Sequence, residues 1–221
     1  MAVSVRKRRY TIVPAGGPVP LCGAVASSPW QAARTLRIDR FPWWTGGARQ
    51  SAVARMLYDS RSLYVQFRCR DRHISAVETR LNGRVYLDSC VELFLAAGAG
   101  YFNVEINCCG TLHVGFGSGR HGRRLIRPDL AAQIGIATSV GGPTKDESPA
   151  DADWWVAANV PFETLAAFAG RAIRPRRGDV WQGNLYRCGG RTDPQYACWS
   201  PVDAPKPDFH RPESFGRLHF G

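Results

Sequence analysis

The stretch from Val85 to Thr111, VYLDSCVELFLAAGAGYFNVEINCCGT, decides the fold. Its first run, Val91-Glu92-Leu93-Phe94-Leu95, is built from β-branched, aromatic and large aliphatic residues, the types that fit a pleated, packed surface. Its second, Tyr101-Phe102-Asn103-Val104-Glu105-Ile106-Asn107, alternates apolar and polar. Between them, Ala97-Gly98-Ala99-Gly100 has too little side chain to hold anything but a turn, so the two runs read as a β-hairpin. Successive side chains of a strand point to opposite faces. Phe102, Val104 and Ile106 therefore share a core face, and Tyr101, Asn103, Glu105 and Asn107 form a polar row on the other. A carboxylate, two carboxamides and a phenol in one row make the leading functional candidate.

The same reading extends outward. A second hairpin runs Ala52 to Tyr58 and Leu63 to Arg70 across Asp59-Ser60-Arg61-Ser62, with Leu63, Val65, Phe67 and Cys69 inward and Tyr64, Gln66, Arg68 and Arg70 outward. Further strands are expected at Arg34–Arg40, Thr111–Phe116, Ile134–Val140, Trp154–Val160, Val180–Cys188, Tyr196–Trp199 and Phe215–Phe220. One helix starts at Pro161 and runs to about Ala169, and the proline-rich Pro201–Pro212 reads as fixed coil over the surface. Many short strands between turn signals, with one short helix and long loops, predict an all-β, two-sheet antiparallel β-sandwich. Residues 1–28 read as an N-terminal arm with an edge strand near Arg9–Val13, and 29–221 as the sandwich domain. At 221 residues and 44% hydrophobic, one domain with a real core is the default.

The chain carries 29 Lys+Arg against 18 Asp+Glu, a net charge of +11; only Lys7, Lys145 and Lys206 are lysines, leaving 26 Arg. The basic residues are scattered, apart from Arg6-Lys7-Arg8-Arg9, Arg120–Arg127 and Arg174–Arg177, and no nucleic-acid motif accompanies them, so nucleic acid is not the expected partner. The seven cysteines include no C-x-x-C spacing, which predicts reduced thiols packed as small apolar residues. No apolar run reaches the 18 residues of a membrane span, and Pro14, Gly16, Gly17 and Pro18 interrupt any leader-like segment. The expectation is a cytoplasmic protein with no membrane association, or an extracellular one if translation starts elsewhere.

Three strands present polar groups: Gln66/Arg68/Arg70, Asn103/Glu105/Asn107, and Asn184 with Tyr186 or Arg187. Carboxylates, amides and guanidinium groups make paired hydrogen bonds to vicinal hydroxyls, and Trp43, Trp44 and Trp199, in loops or at strand ends, are placed to offer ring faces to the C–H side of a sugar. Glu92 and Glu105 read alternatively as the paired carboxylates of a glycoside hydrolase. The five histidines sit in no nucleophile motif. Asp71, Asp88, Asp151 and Asp153 are loop carboxylates of the type that binds Ca²⁺, with Asp71 and Asp88 the metal candidates.

Taken in order, several segments resemble the family 9 carbohydrate-binding module and its DOMON-like β-sandwich relatives. They are Ala54–Asp59 with Leu63–Phe67, Asp88–Leu95, Tyr101–Asn107 with Gly110-Thr111, Trp181–Cys188 leading to Trp199-Ser200-Pro201, and Phe209–Glu213 with Phe215–Leu218. The resemblance implies a two-sheet sandwich that binds sugars without catalysis, as an accessory module in carbohydrate catabolism. It also implies two rings about a terminal sugar, hydrogen bonds from Arg, Asn and Glu, and structural Ca²⁺. Carried onto this chain, it points to Arg55, Asn184, Arg187 and Trp199, with Trp43 or Trp44 as the second ring. It casts Glu92 and Glu105 as framework residues. The expectation is therefore non-catalytic recognition of an oligosaccharide or sugar terminus, with O-glycosyl hydrolysis through Glu92 and Glu105 as the alternative.

Overall fold

A computed structural model describes residues 7–144 and 146–221. The first six residues of the expected arm, with Arg6 of its basic run, and Lys145 lie outside the described residues. The strands are β1 (Arg9–Pro14), β2 (Leu36–Ile38), β3 (Ala52–Tyr58), β4 (Ser62–Arg70), β5 (Cys90–Ala96), β6 (Tyr101–Asn107), β7 (Leu112–Gly117), β8 (Arg124–Leu125), β9 (Gly135–Thr138), β10 (Asp153–Pro161), β11 (Val180–Gly189), β12 (Gln195–Cys198) and β13 (Gly216–Phe220). The opening hairpin is β5–β6, in register Glu92↔Glu105 and Leu93↔Val104. The helix expected after Pro161 is α2 (Phe162–Ala169), ended by Gly170 at φ 71°, where only a residue without Cβ sits without strain. A one-turn helix, α1 (Pro128–Ala131), and the two-residue β8 were too short to leave a periodic signal.

The strands follow the order β8-β7-β6-β5-β11-β13-β1-β3-β4-β10-β9, with β12 beside β11 and β2 beside β3. The path folds over at β1, giving two packed sheets. The first half of β1 runs parallel to β13 (Arg9↔Arg217 to Ile12↔Phe220), and its end runs parallel to β3 (Val13↔Leu57). The expected edge strand is thus an interior seam shared by both sheets. Its six residues alternate much as an edge strand's would; the difference lies in its partners, Leu57 and Tyr58 on β3 and Arg217 to Phe220 on β13, which are remote in sequence and which local pattern does not encode.

The core between the sheets is apolar, with Met56, Phe67, Leu93, Val104, Ile106 and Val156 all buried. Both outer faces are covered as well. Residues 13–33 lie over the β3–β4–β10 face, where Trp30 is fully buried and donates to the Pro20 carbonyl at 2.9 Å. Gln66, expected to point to solvent, is buried there and donates to the Cys22 carbonyl at 2.7 Å. On the other sheet the coil from Pro201 to Pro212 packs Val202 and Phe209 against β5, β6 and β11, with Phe209 stacked on Tyr186 at 4.0 Å. The polar row of β6 is therefore not a solvated face: Tyr101, Asn103, Glu105 and Asn107 are each 4% exposed or less.

One buried ion pair ties the sheets together. Arg187 on β11 donates to Asp71 Oδ2, just past the end of β4, at 2.5 Å; the side chains are 1% and 2% exposed. The same oxygen accepts from Ser89 Oγ at 2.6 Å and Trp154 Nε1 at 2.8 Å, and the guanidinium lies 5.4 Å from the Trp154 ring centre. Arg187 also donates to the Cys188 carbonyl. Removing one partner leaves a buried charge uncompensated, whereas replacing both with apolar groups does not. Asp71→Ala is expected to cost about 3–5 kcal/mol in denaturant unfolding, and the double variant Asp71→Leu/Arg187→Met to recover most of that loss.

Candidate functional site

A cleft of about 440 Å³ opens on the outer face of the β5–β6–β11 sheet, where the covering coil leaves it bare. That volume falls within the usual range for small-molecule sites. Its floor is a cross-strand row set by register: Tyr186 faces Glu92, Glu92 faces Glu105, and Glu105 faces His113. Glu92, Glu105, His113 and, in the next row, Cys188 line the cleft. Its rim is apolar and open: Tyr86, Leu87, Leu125 and Tyr196 are 44%, 50%, 48% and 37% exposed. Tyr86 and Leu87 come from the short 3-10 turn Val85–Leu87 that immediately precedes β5, and Tyr196 from β12.

Arg123 shapes the wall. It donates to Asn103 Oδ1, and to the carbonyls of Gly119 and Tyr101, each at 2.8 Å, and its centre lies 4.2 Å from the Tyr101 ring centre. The guanidinium clips the basic loop between β7 and β8 onto β6. Gly115 makes room for it, since a Cβ there would stand 2.6 Å from Asn103 Oδ1 and 3.1 Å from Arg123 Nε. The covering coil is fastened by Asp208, which pairs with Arg120 at 3.2 Å, and by His210, whose Nδ1 lies 2.8 Å from the Tyr101 hydroxyl.

The floor is polar and nearly dry. Glu92 accepts from Cys188 Sγ at 2.8 Å, and Glu105 Oε1 accepts from Asn103 Nδ2 at 2.6 Å. Glu105 Oε2 has no partner among the described residues. Burial pushes the Glu92 carboxyl well above the ordinary range, and the neighbouring Cys188 and Glu105 add to this. Burial also raises Glu105, against the opposing pull of His113, Asn103 and Arg123. Burial and the nearness of the two acids both favour their neutral forms.

The residues expected to bind ligand are not brought together here, and none of the six lines the cleft. Arg187 is the core ion pair. Asn184, fully buried, holds Ser200 by donating to its carbonyl at 2.9 Å and accepting from its N–H at 2.8 Å. Trp199 is 3% exposed in the inter-sheet core. Arg55 sits on β3, in the opposite sheet, donating to Thr35 Oγ1 at 2.8 Å. Trp43 is half-buried against Phe209 and donates to the Ala204 carbonyl at 2.7 Å; Trp44 packs on Phe41. Glu92 and Glu105, expected as framework, form the cleft floor. Tyr86, Tyr196 and His113 were missed. His113 was within reach of register reasoning, because the turn after Asn107 sets it across from Glu105.

The Ca²⁺ candidates do not fit a cation. Asp71 Oδ2 is taken by the three donors described above. Asp88 accepts from the N–H of Val77 at 3.0 Å and of Glu78 at 2.9 Å, and from Asn107 Nδ2 at 2.9 Å. Carboxylates surrounded by N–H donors are structural caps, whereas Ca²⁺ needs converging oxygens. Asp151 likewise accepts from the N–H of Ile74 and Ser148.

A β-sandwich with a half-open, polar-floored and aromatic-rimmed cleft on one outer face belongs to the class of small-ligand binding modules. The particular family follows from comparison: a family profile described as carbohydrate-binding family 9 matches residues 29–220, and the chain belongs to that family. A protein from Bacteroides uniformis, proposed to bind carbohydrate, shares the fold with a TM-score of 0.85 at 23% identity, covering 98% of this chain and 100% of its own. A family 9 carbohydrate-binding module from Caldicellulosiruptor kristjanssonii, solved with cellotriose, aligns with a TM-score of 0.61 at 13% identity over 96% of this chain and 93% of its own. A glucose complex of a family 9 module from the same organism aligns with a TM-score of 0.61 at 14% identity, over 97% and 96%. None of the curated proteins compared matches the chain.

Two pH effects follow from the cleft. A carboxyl whose folded-state proton affinity is raised stabilises the fold only while protonated, so stability falls as pH rises above the ordinary glutamate range of about 4.3. Glu92→Gln keeps the shape and an acceptor for Cys188; its melting temperature is expected to exceed the parent's at neutral pH, the gain fading toward about pH 4. His210 has the opposite sign. Burial, then Arg123 and Arg120, push its imidazole down to about 4. Its share of stability is full above about pH 6.5 and is lost as pH falls toward the folded value. Thermal melts of His210→Gln are expected to show a flatter acid slope across that window.

Proposed function

We propose that the cleft binds a carbohydrate without transforming it, through Tyr86 and Tyr196 as ring platforms and through Glu92, Glu105 and His113 as hydrogen-bonding groups on the floor. The observation that carries this is the pairing of two exposed tyrosine rings with a dry floor of acids and a histidine in one cleft. A sugar has an apolar C–H face and a belt of hydroxyls, and this site offers a surface for each. Membership of carbohydrate-binding family 9 supports the reading, and the related modules seen with glucose and cellotriose favour glucose-type sugars or the ends of short chains. The two-ring arrangement that the sequence resemblance implied would be carried by tyrosines in place of tryptophans.

The hydrolytic alternative has one observation in its favour. Glu92 and Glu105 are direct cross-strand neighbours, so their side chains stand side by side as the two carboxyl groups of a glycosidase do. The electrostatics oppose it. A retaining enzyme needs one carboxylate ionised as nucleophile beside one protonated acid, and here burial raises both. Acids both shifted toward the neutral form suit binding better than turnover.

Calorimetric titration with glucose, cellotriose and xylotriose tests the proposal. Tyr86→Ala and Tyr196→Ala are each expected to weaken binding about tenfold or more, roughly 1.4 kcal/mol, with melting temperature little changed because both rings are exposed. No heat from any sugar in a broad panel would defeat the reading. Turnover of aryl glycosides that is lost in Glu105→Gln would shift it to hydrolysis.

A further inference from the structure

Below the cleft, two thiols and a carboxyl group converge. Cys90 on β5 and Cys188 on β11 are register partners, and Glu92 follows Cys90 by two residues on the same face. Among the described residues, Cys90, Cys188 and Glu92 are the group whose potential ligand atoms all lie within 4.8 Å of one another. We propose that these three side chains form a site for a thiophilic divalent cation of the zinc class, with one coordination position open to the cleft.

Four observations carry this. Donor chemistry comes first: two sulfurs and one carboxylate oxygen select zinc-like ions over Ca²⁺ or Mg²⁺, which want all-oxygen shells. Reach is second. The ligand atoms would stand about 2.0–2.3 Å from a bound ion, and all three already lie within 4.8 Å of one another, so only a small convergence is needed. Access is third: Cys188 and Glu92 line the cleft, so an ion entering from solvent meets them first, with Cys90 behind. Last is an unmet need. The hydrogen bond Glu92 receives comes from a thiol, the weakest of side-chain donors, and Glu105, 4% exposed beside it, keeps an oxygen with no partner among the described residues. An ion at this point supplies positive charge to both acids.

Binding replaces the two thiol protons, and the Glu92 proton where present, with the cation; the protons leave to solvent. Three protein ligands leave a tetrahedral ion one free position, as in zinc sites that hold exchangeable ligands. That position borders Glu105, where a water or a ligand hydroxyl can bind. The site stands on its own geometry and does not need the carbohydrate reading.

The test uses the full chain, reduced, stripped with a chelator, and titrated with Co²⁺ without air and without sugar. The expected result is one ion per chain, with thiolate-to-cobalt charge-transfer absorption and tetrahedral d–d bands, both displaced by Zn²⁺. Cys90→Ser and Cys188→Ser should abolish the charge-transfer signal, while Cys22→Ser and Cys109→Ser, half-buried thiols elsewhere, leave it intact. Glu92→Gln, which preserves shape if a serine variant fails to fold, should weaken Zn²⁺ binding by more than about 100-fold, beyond a typical outer-shell loss. Absence of the band in the folded, reduced parent overturns the proposal, as does a band that survives in Cys188→Ser or a Zn²⁺ affinity unchanged in Glu92→Gln. Sugar binding with no cobalt signal rejects the metal site alone, and a cobalt signal with no sugar binding rejects the carbohydrate reading alone.

Discussion

The fold depends on a charge pair placed where charges are most costly. Asp71 and Arg187 meet between the two sheets, almost without solvent, and one oxygen of Asp71 gathers Arg187, Ser89 and Trp154. Those groups belong to the end of β4, the start of β5, β10 and β11. Desolvating two ions costs several kcal/mol each, so the pair adds little net stability over a well-packed apolar substitute. Its contribution is directional. An apolar core tolerates sliding of one sheet over another, whereas the pair is satisfied in one relative position. Arg187 stands opposite Val91 in the β5–β11 pairing, one position from the Tyr186–Glu92 row that floors the cleft.

The cleft arises from incomplete coverage. Sheets in a sandwich usually leave their outer faces to solvent. Here the N-terminal segment covers one and the proline-rich coil covers most of the other. A proline-rich segment loses little chain entropy on being laid down, and its few apolar residues, Val202 and Phe209, anchor it. Where the coil stops short, polar residues that would otherwise be wet are enclosed on three sides. Arg123 keeps the loop between β7 and β8 upright as a wall, and the absence of a side chain at Gly115 lets it through.

Enclosure changes the chemistry of the floor. In water Glu92 and Glu105 would be two exposed carboxylates repelling each other across a strand pair. Under cover, burial moves both toward the neutral form, converting a charge pair into a set of hydrogen-bond donors and acceptors. Beside them, Cys188 and Cys90 add soft donors to the same patch. The same small patch thus holds two acids shifted toward their neutral forms and two thiols within reach of one of them.

Much of the fold was legible in local pattern. The alternation of Tyr101–Asn107, the Ala-Gly turn before it, and the Leu63–Arg70 strand specified hairpins, faces and fold class, because side-chain period and turn chemistry are local properties. Five of the seven thiols are buried, as a reading of cysteine as a small apolar residue implies. The site was less legible. Residue type marked Arg187, Asn184 and Trp199 as ligand groups, and tertiary packing made them core groups, since sequence does not show which face of β11 meets the opposite sheet. The interior position of β1, the burial of the β6 polar row and the exposure of Tyr86 and Tyr196 were likewise set by segments remote in sequence. The sequence by itself determined strands, turns and the composition of each face. Only the tertiary structure decided which polar face would be dry, because desolvation depends on what the rest of the chain lays over it.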